Sequence, residues 1–183
     1  MKGISVILIF AITFQSCRSQ DTVERKIIVS DEAPAPLAFY SQAVQVGHTL
    51  YVSGNLGMTR DGDLVDGVTN QTKLALDNIG HVLTAAGISF DNVVKVTVML
   101  KEIEDYAAMN DVYASYFTKK APARSAFMAA SLPRDAKVEI EVVAIVGHIV
   151  DVEDSESIAS KNGYVVLLLI LLQGSTIYRT LAS

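Results

Sequence analysis

One arginine and two glutamates carry the clearest chemical signal in this sequence. Arg124 lies in a short apolar segment, PARSAF, and Glu139 and Glu141 interrupt the apolar run KVEIEVVAI. A guanidinium is always charged and can bind a carboxylate through two parallel hydrogen bonds. Carboxylates inside an apolar strand need a partner, because burying an unpaired charge is costly. With the two segments on neighbouring strands, these residues form either a structural ion pair or a site for a small anionic substrate.

The segments around these residues predict several strands. Two strand-like runs flank Gly47 and His48, which predicts a β-hairpin. Residues 93–100 alternate in a phase that would place Val94 on the apolar face. The predicted strands are residues 26–30, 43–46, 49–53, 93–100, 124–129 and 137–146.

Two helices are predicted between these strands. Residues 69–86 carry apolar side chains at every third or fourth position, with Thr69 or Asn70 as the cap and Gly87 just beyond the end. The second helix begins after Asp105. Its apolar and aromatic side chains are assigned to the core rather than to a cofactor site, and they belong to Tyr106, Met109, Val112, Tyr113, Tyr116 and Phe117.

Two helices and a mixed sheet of six strands predict an α+β fold with one helical layer on one face of the sheet. Along the last strand, Glu139 and Glu141 share the face opposite Val138 and Ile140. The helices are expected on the apolar face, so the face with the acids is left for sister subunits. We therefore expect an oligomer with a site at its interface.

The overall charge argues against a nucleic-acid-binding role. The 183-residue chain has a formal net charge of −5, whereas nucleic-acid-binding domains usually present a basic face. The three histidines, His48, His81 and His148, show no metal-ligand spacing, so no metal is expected.

Residues 1–20 predict a signal peptide. Lys2 precedes a short apolar stretch, residues 4–14, that is too short to span a bilayer. Cys17, the only cysteine, stands where a bacterial lipoprotein signal places its lipidated residue, although Gln15 is bulkier than usual there. The alternatives are membrane attachment through Cys17, an ordinary cleaved signal with export to the periplasm, and an uncut apolar N-terminus on a cytoplasmic protein. With Cys17 outside the fold, no cysteine nucleophile is expected.

The domain is expected at residues 33–150, and residues 151–183 follow as an acidic linker and a short hydrophobic tail. The apolar run at residues 165–172, VVLLLILL, is far shorter than the roughly twenty residues of a transmembrane helix. It could be a peripheral strand, a membrane-touching segment or sequence unrelated to the domain.

Seven motifs follow one another through the predicted domain: APLAFYSQAV, LYVSGNLG, QTKLALDNIGHVLTAAG, NVVKVTVML, MNDVYASYF, PARSAF and KVEIEVVAI. In this order they resemble the reactive intermediate deaminase family, also called RidA or YjgF. The resemblance implies a chorismate-mutase-like α+β fold and a homotrimer whose sheets face inward, with active sites in the clefts between subunits. Active members of the family hydrolyse 2-aminoacrylate, 2-iminopropanoate or 2-iminobutanoate to a 2-oxo acid and ammonia, with no cofactor.

The resemblance also implies roles for individual residues. Arg124 matches the arginine that binds the substrate carboxylate, and Glu139 matches the acid associated with the attacking water. Tyr40, whose hydroxyl could relay a proton, and Asn110 match pocket residues. The loop whose backbone meets the ligand corresponds to Ser53 and Gly54.

Two positions depart from the common pattern of the family. Ala126 replaces a cysteine found in many members, so only its backbone N–H is available to a ligand. Asn55 replaces a longer glutamine and could reshape the pocket or the trimer contacts.

The rival functions are a non-catalytic module that binds small carboxylates, a chaperone or an inhibitor. An endoribonuclease is disfavoured by the acidic charge.

Overall fold

The computed structural model describes residues 22–152, in which two helices cover one face of a six-stranded mixed sheet. The predicted α+β fold is confirmed. Helix α1 (Val68–Ala85) lies between the third and fourth strands, and α2 (Tyr106–Ala114) lies between the fourth and fifth. The strands are β1 (Arg25–Ile28), β2 (Ala43–Val46), β3 (Thr49–Leu56), β4 (Val93–Leu100), β5 (Ala123–Met128) and β6 (Val138–Ile145).

The sheet order is β1-β2-β3-β6-β4-β5, so the last strand occupies a central position between β3 and β4. Strand β5 pairs with β4 in parallel and the other pairs are antiparallel. A parallel neighbour requires a crossover connection, which α2 supplies. Because β4 separates β5 from β6, Arg124 and Glu139 do not lie on neighbouring strands, and that expectation was wrong.

The two faces of the sheet differ in cover. Strand β6 alternates as predicted, with Val138, Ile140 and Ala144 fully buried against the helical layer. Glu139 and Glu141 point to the opposite face, which neither α1 nor α2 covers. We call these the helix face and the free face. Large side chains on the free face are half exposed, Tyr51 at 53% and Phe127 at 49% among them. An uncovered apolar sheet face is unusual for a monomer.

Helix α1 starts without the predicted side-chain cap. Its first residue is Val68, and the N-cap position is Gly67, which has no side chain to bond the free N–H groups. The amide of Asn70 instead donates to the Asp66 carbonyl at 3.0 Å. Gly87 ends the helix as predicted. It has a φ of +76°, and the N–H of Ile88 reaches back to the Leu83 carbonyl at 3.0 Å in a Schellman closure.

Two further predictions need correction. A register irregularity between Val93 and Lys95 shifts the start of β4. It buries Val93, and it leaves Val94 at 41% exposure instead of in the core. In α2, Asp105 occupies the N-cap position but makes no capping hydrogen bond. Tyr106 is 40% exposed and is therefore not a core residue.

Candidate active site

The Glu139 carboxylate lies against a bulge in the neighbouring strand. The β3–β6 pairing shifts register between Val52 and Asn55, which displaces Ser53 and Gly54 from the ladder. A Cβ added to Gly54 would sit 2.0 Å from Oε1 of Glu139, a separation that no real pair of atoms tolerates. Glycine at residue 54 is therefore what allows the carboxylate to lie over the backbone.

Short hydrogen bonds hold the bulge in place. The Ser53 hydroxyl donates to the Ser41 carbonyl at 2.7 Å, and the Asn55 amide donates to the Ser53 carbonyl at the same distance. The shorter amide of Asn55, one of the two departures noted above, thus closes a local bond across the bulge.

A cleft of about 500 Å³ opens on this carboxylate. Its polar lining includes Tyr40, Ser53, Glu139 and Glu141, and its apolar wall comes from the PAPLA segment and from residues after the bulge. The apolar wall consists of Pro34, Ala35, Pro36, Leu37, Ala38, Leu56, Met58 and Pro133. No lysine, arginine or histidine lines the cleft within the described residues.

A buried glutamine fixes the wall of the cleft that carries Tyr40. The Gln42 amide donates to the carbonyls of Ser30 and Pro34 at 3.1 and 2.9 Å, and its oxygen accepts from the Ser30 N–H at 2.7 Å. The Tyr40 hydroxyl accepts from the Leu37 N–H at 3.1 Å. Its own proton remains available to donate into the cleft.

Burial raises the pKa of the Glu139 carboxyl above its ordinary value, and the negative charge of Glu141 raises it further. No donor within residues 22–152 hydrogen-bonds the Glu139 carboxylate, so no hydrogen bond from these residues offsets the two effects. A half-buried carboxylate with a raised pKa and free acceptor oxygens is suited to accept a proton from water.

Arg124 lies on the helix face of β5, away from this cleft. It pairs with Val96, a fully buried residue of β4. Its guanidinium carbon stands 4.4 Å from the ring centroid of Tyr113, and Nη2 donates to the Tyr106 hydroxyl at 3.1 Å. No aspartate or glutamate within the described residues forms an ion pair with Arg124. The structural ion pair proposed from sequence is therefore absent from the described chain.

Two other predicted site residues accompany Arg124. Ala126 follows two positions later on the same face of β5, where it pairs with Val98. Asn110 lies on α2 four residues after Tyr106 and three before Tyr113. It therefore shares their side of the helix.

The predicted site residues thus form two groups within one chain. The carboxylate group comprises Tyr40, Ser53, Gly54 and Glu139, whereas the arginine group comprises Arg124, Ala126 and Asn110. Glu139 aligns with Met99, which aligns with Phe127, three residues beyond Arg124. From strand spacing and rise, the Cα atoms of Arg124 and Glu139 are roughly 14 Å apart, with side chains on opposite faces. A small substrate cannot touch both within one subunit.

Comparison with known proteins decides the family. A profile described as Endoribonuclease L-PSP matches residues 30–146. The chain is 51% identical over 125 residues to a Capra hircus protein named 2-iminobutanoate/2-iminopropanoate deaminase, covering 67% of this chain and 91% of the relative. The chain belongs to the RidA/YjgF family. Family members among solved structures share the fold described above.

Two crystal structures of RidA/YjgF-type proteins illustrate the likeness. A Rid protein of unknown function from Yersinia pestis, YyfA, is 40% identical. Its TM-score is 0.66, over 67% of this chain and all of its own. E. coli TdcF, solved with bound serine, is 33% identical, with a TM-score of 0.65 over 67% of this chain and 99% of its own.

Sequence reasoning missed three residues that shape the two groups. Tyr106 and Tyr113 contact Arg124 directly, and their spacing with Asn110 on one helix was visible in the sequence. Gln42 gave no comparable signal, because a single glutamine before a strand is ordinary.

The signal-peptide segment, Cys17 and most of residues 151–183 lie outside the described residues. Within residues 22–152, no helix is long and apolar enough to cross a bilayer.

Proposed function

We propose that this protein hydrolyses 2-imino acids and their enamine tautomers, among them 2-aminoacrylate, 2-iminopropanoate and 2-iminobutanoate, to 2-oxo acids and ammonia. Its family makes the chain a deaminase-like hydrolase, and the goat relative carries the name of this activity. The observation that carries the proposal is an arginine without a carboxylate partner among residues 22–152, together with a cleft that ends on a carboxylate of raised pKa.

The two groups would meet across a subunit interface. In a homotrimer with its free faces turned inward, the arginine group of one subunit would lie beside the cleft of the next. Arg124 has donors to spare, because only one of its N–H groups is engaged by the tyrosine hydroxyl. It would bind the substrate carboxylate bidentately. The exposed apolar side chains of the free face support such an assembly.

The reaction requires one water and a proton carrier. Glu139 would accept a proton from water while the oxygen attacks the imine carbon and the C=N electron pair moves to nitrogen, which takes up a proton. The amine of the resulting carbinolamine would take up a further proton, and the carbinolamine would then collapse: the hydroxyl proton is lost to base, the C=O bond forms, and the C–N bond breaks to release ammonia. The Tyr40 hydroxyl, whose proton is not used in its bond with Leu37, would donate to the nitrogen. An enamine substrate would first take a proton on its β-carbon.

The cleft does not favour RNA as a substrate, despite the endoribonuclease wording of the family profile. Glu139 and Glu141 both line it, and no basic residue does so among the described residues. Phosphate groups would be repelled from such a lining. Small carboxylates avoid this repulsion if Arg124 of a neighbour supplies the opposite charge.

The test is ammonia release from freshly generated 2-aminoacrylate and 2-iminobutanoate. We expect acceleration over buffer, and we expect Arg124→Ala to reduce kcat/KM by about a hundredfold or more, since a bound charge loses its partner. Arg60→Ala, an exposed loop arginine, serves as the matched control and should retain full activity. Binding of a 2-oxo acid without any acceleration would instead identify a non-catalytic carboxylate-binding protein.

Export and lipidation of Cys17 form a separate proposal, which the family match at residues 30–146 does not support. Mass spectrometry of the purified protein decides it. A diacylated Cys17 would establish the lipoprotein, and an intact Met1 would favour the cytoplasmic alternative.

A further inference from the structure

The guanidinium of Arg124 is held from two directions by helix α2. Tyr113 lies against its face, with the guanidinium carbon 4.4 Å from the ring centroid. Tyr106 accepts a hydrogen bond from Nη2 at 3.1 Å, with its ring centroid 5.9 Å away. A cation over a ring and a hydrogen bond in the guanidinium plane restrain different motions.

The Tyr113 ring has rigid support of its own. It stacks on Phe117 with centroids 4.5 Å apart, and Phe117 meets Phe90 edge to face at 5.3 Å. The Tyr113 hydroxyl is buried and has no hydrogen-bond partner within the described residues. Tyr113 therefore presents a supported ring to the guanidinium of Arg124.

Contact with the Tyr113 ring alone leaves the guanidinium free to turn within its own plane. The hydrogen bond to Tyr106 stops that rotation, because it ties one nitrogen to a fixed point on α2. The rotation decides which pair of N–H groups faces a ligand, and a bidentate carboxylate contact needs one particular pair.

We propose that the Tyr106 hydroxyl is a positioning group that fixes the in-plane orientation of Arg124 for the substrate carboxylate. This inference rests on the proposed role of Arg124 as the carboxylate-binding residue. Tyr106 acts through Arg124. The carboxylate is bound both before and during the reaction, so loss of the hydroxyl weakens binding and leaves the chemical step nearly unchanged.

The test compares two substitutions that each remove one tyrosine hydroxyl, one bonded to Arg124 and one bonded elsewhere. For Tyr106→Phe, we expect KM for 2-iminobutanoate and the calorimetric Kd for 2-oxobutanoate to rise together, about fivefold to tenfold, with kcat nearly unchanged. Tyr116→Phe is the matched control, because its hydroxyl donates to Asp77 at 2.7 Å and not to Arg124, so both constants should remain at the wild-type value. Circular dichroism checks that both variants fold.

Three results would overturn the proposal. Wild-type KM and Kd in Tyr106→Phe would show that the hydroxyl does not orient Arg124. A loss of kcat at constant KM would place Tyr106 in the chemical step instead. Equal losses in the two variants would show that the effect does not depend on the hydrogen bond to Nη2. If the wild-type protein neither binds 2-oxobutanoate nor accelerates hydrolysis, the proposed function itself fails and this inference fails with it.

Discussion

Single atoms decide where the Glu139 carboxylate lies. The absence of a side chain at Gly54 opens the space that Oε1 occupies, because a Cβ there would come within 2.0 Å of it. The β-bulge turns this piece of backbone toward the carboxylate, and Asn55 and Ser53 hold the bulge with short hydrogen bonds. The position of the proposed base is therefore a property of the neighbouring strand as much as of Glu139 itself.

Gly54→Ala should displace the carboxylate without unfolding the protein. We expect kcat/KM for 2-iminobutanoate to fall by about a hundredfold, since a misplacement of about 1 Å has effects of that size. Gly80→Ala in α1 is the control, because the added methyl would meet only the edge of the Phe90 ring, at 3.2 Å. Full activity in Gly54→Ala would show that the close approach to Glu139 is unimportant.

The pH profile should report the environment of Glu139. Burial and the Glu141 charge hold its pKa above the ordinary 4.5, and a general base acts when ionised. Activity should therefore rise as pH increases through this raised pKa. Glu141→Gln removes the charge but not the burial, so the acid limb of kcat/KM should move to lower pH. Asp91 is an exposed residue in the turn between α1 and β4, and Asp91→Asn should leave the acid limb in place. A limb that stays fixed in Glu141→Gln would refute this account of the pKa.

The sequence located the chemically important residues but not their separation. The apolar surroundings of Glu139 and the alternation of β6 were enough to place the carboxylate on the free face. Arg124 gave no such information, because PARSAF contains small and apolar side chains on both faces of a short strand. The pairing of Arg124 with buried Val96 and its contacts with two tyrosines of α2 show which way it points.

The strands and helices were predictable where periodicity was strong. The alternation in β4 and β6 and the three-to-four repeat of α1 reflect one buried face each, which sequence records directly. The insertion of β6 between β3 and β4 depends on contacts between residues far apart in sequence, which no local pattern encodes. The Val93 irregularity and the Gly67 start of α1 are likewise local departures that packing decides.

Gln42 connects the segment before β2 to the sheet. Its amide nitrogen donates to the Ser30 and Pro34 carbonyls, and its amide oxygen accepts from the Ser30 N–H. Gln42→Leu would leave the Ser30 N–H and nearby carbonyls without partners. We expect the free energy of unfolding to fall by about 2–4 kcal/mol. Urea unfolding at fixed subunit concentration measures it, and KM should rise because the segment carrying Tyr40 loosens.

The matched control is Gln45→Leu. Gln45 makes one exposed hydrogen bond, to the Gly47 carbonyl at 2.9 Å, and its replacement should change stability by about 0.5 kcal/mol or less. Equal stability of the two leucine variants would contradict the role given to Gln42.

At the scale of the whole molecule, the proposed site requires a partner subunit. The uncovered free face predicted an oligomer from sequence alone, whereas the number three came from the family resemblance. Arg124 and Glu139 lie on opposite faces of one sheet, so a site that uses both must draw them from different subunits. Because each subunit would offer two different surfaces, the proposed contact is head to tail, and such contacts can close into a ring.

Mixed oligomers test this shared site most directly. Arg124→Ala and Glu139→Gln subunits, each inactive alone, would be co-expressed with different tags, and oligomers carrying both tags would be purified. Every mixed trimer contains one interface that joins an intact Arg124 to an intact Glu139, so about a third of wild-type activity should return. Mixed oligomers as inactive as either parent would contradict a site shared between subunits.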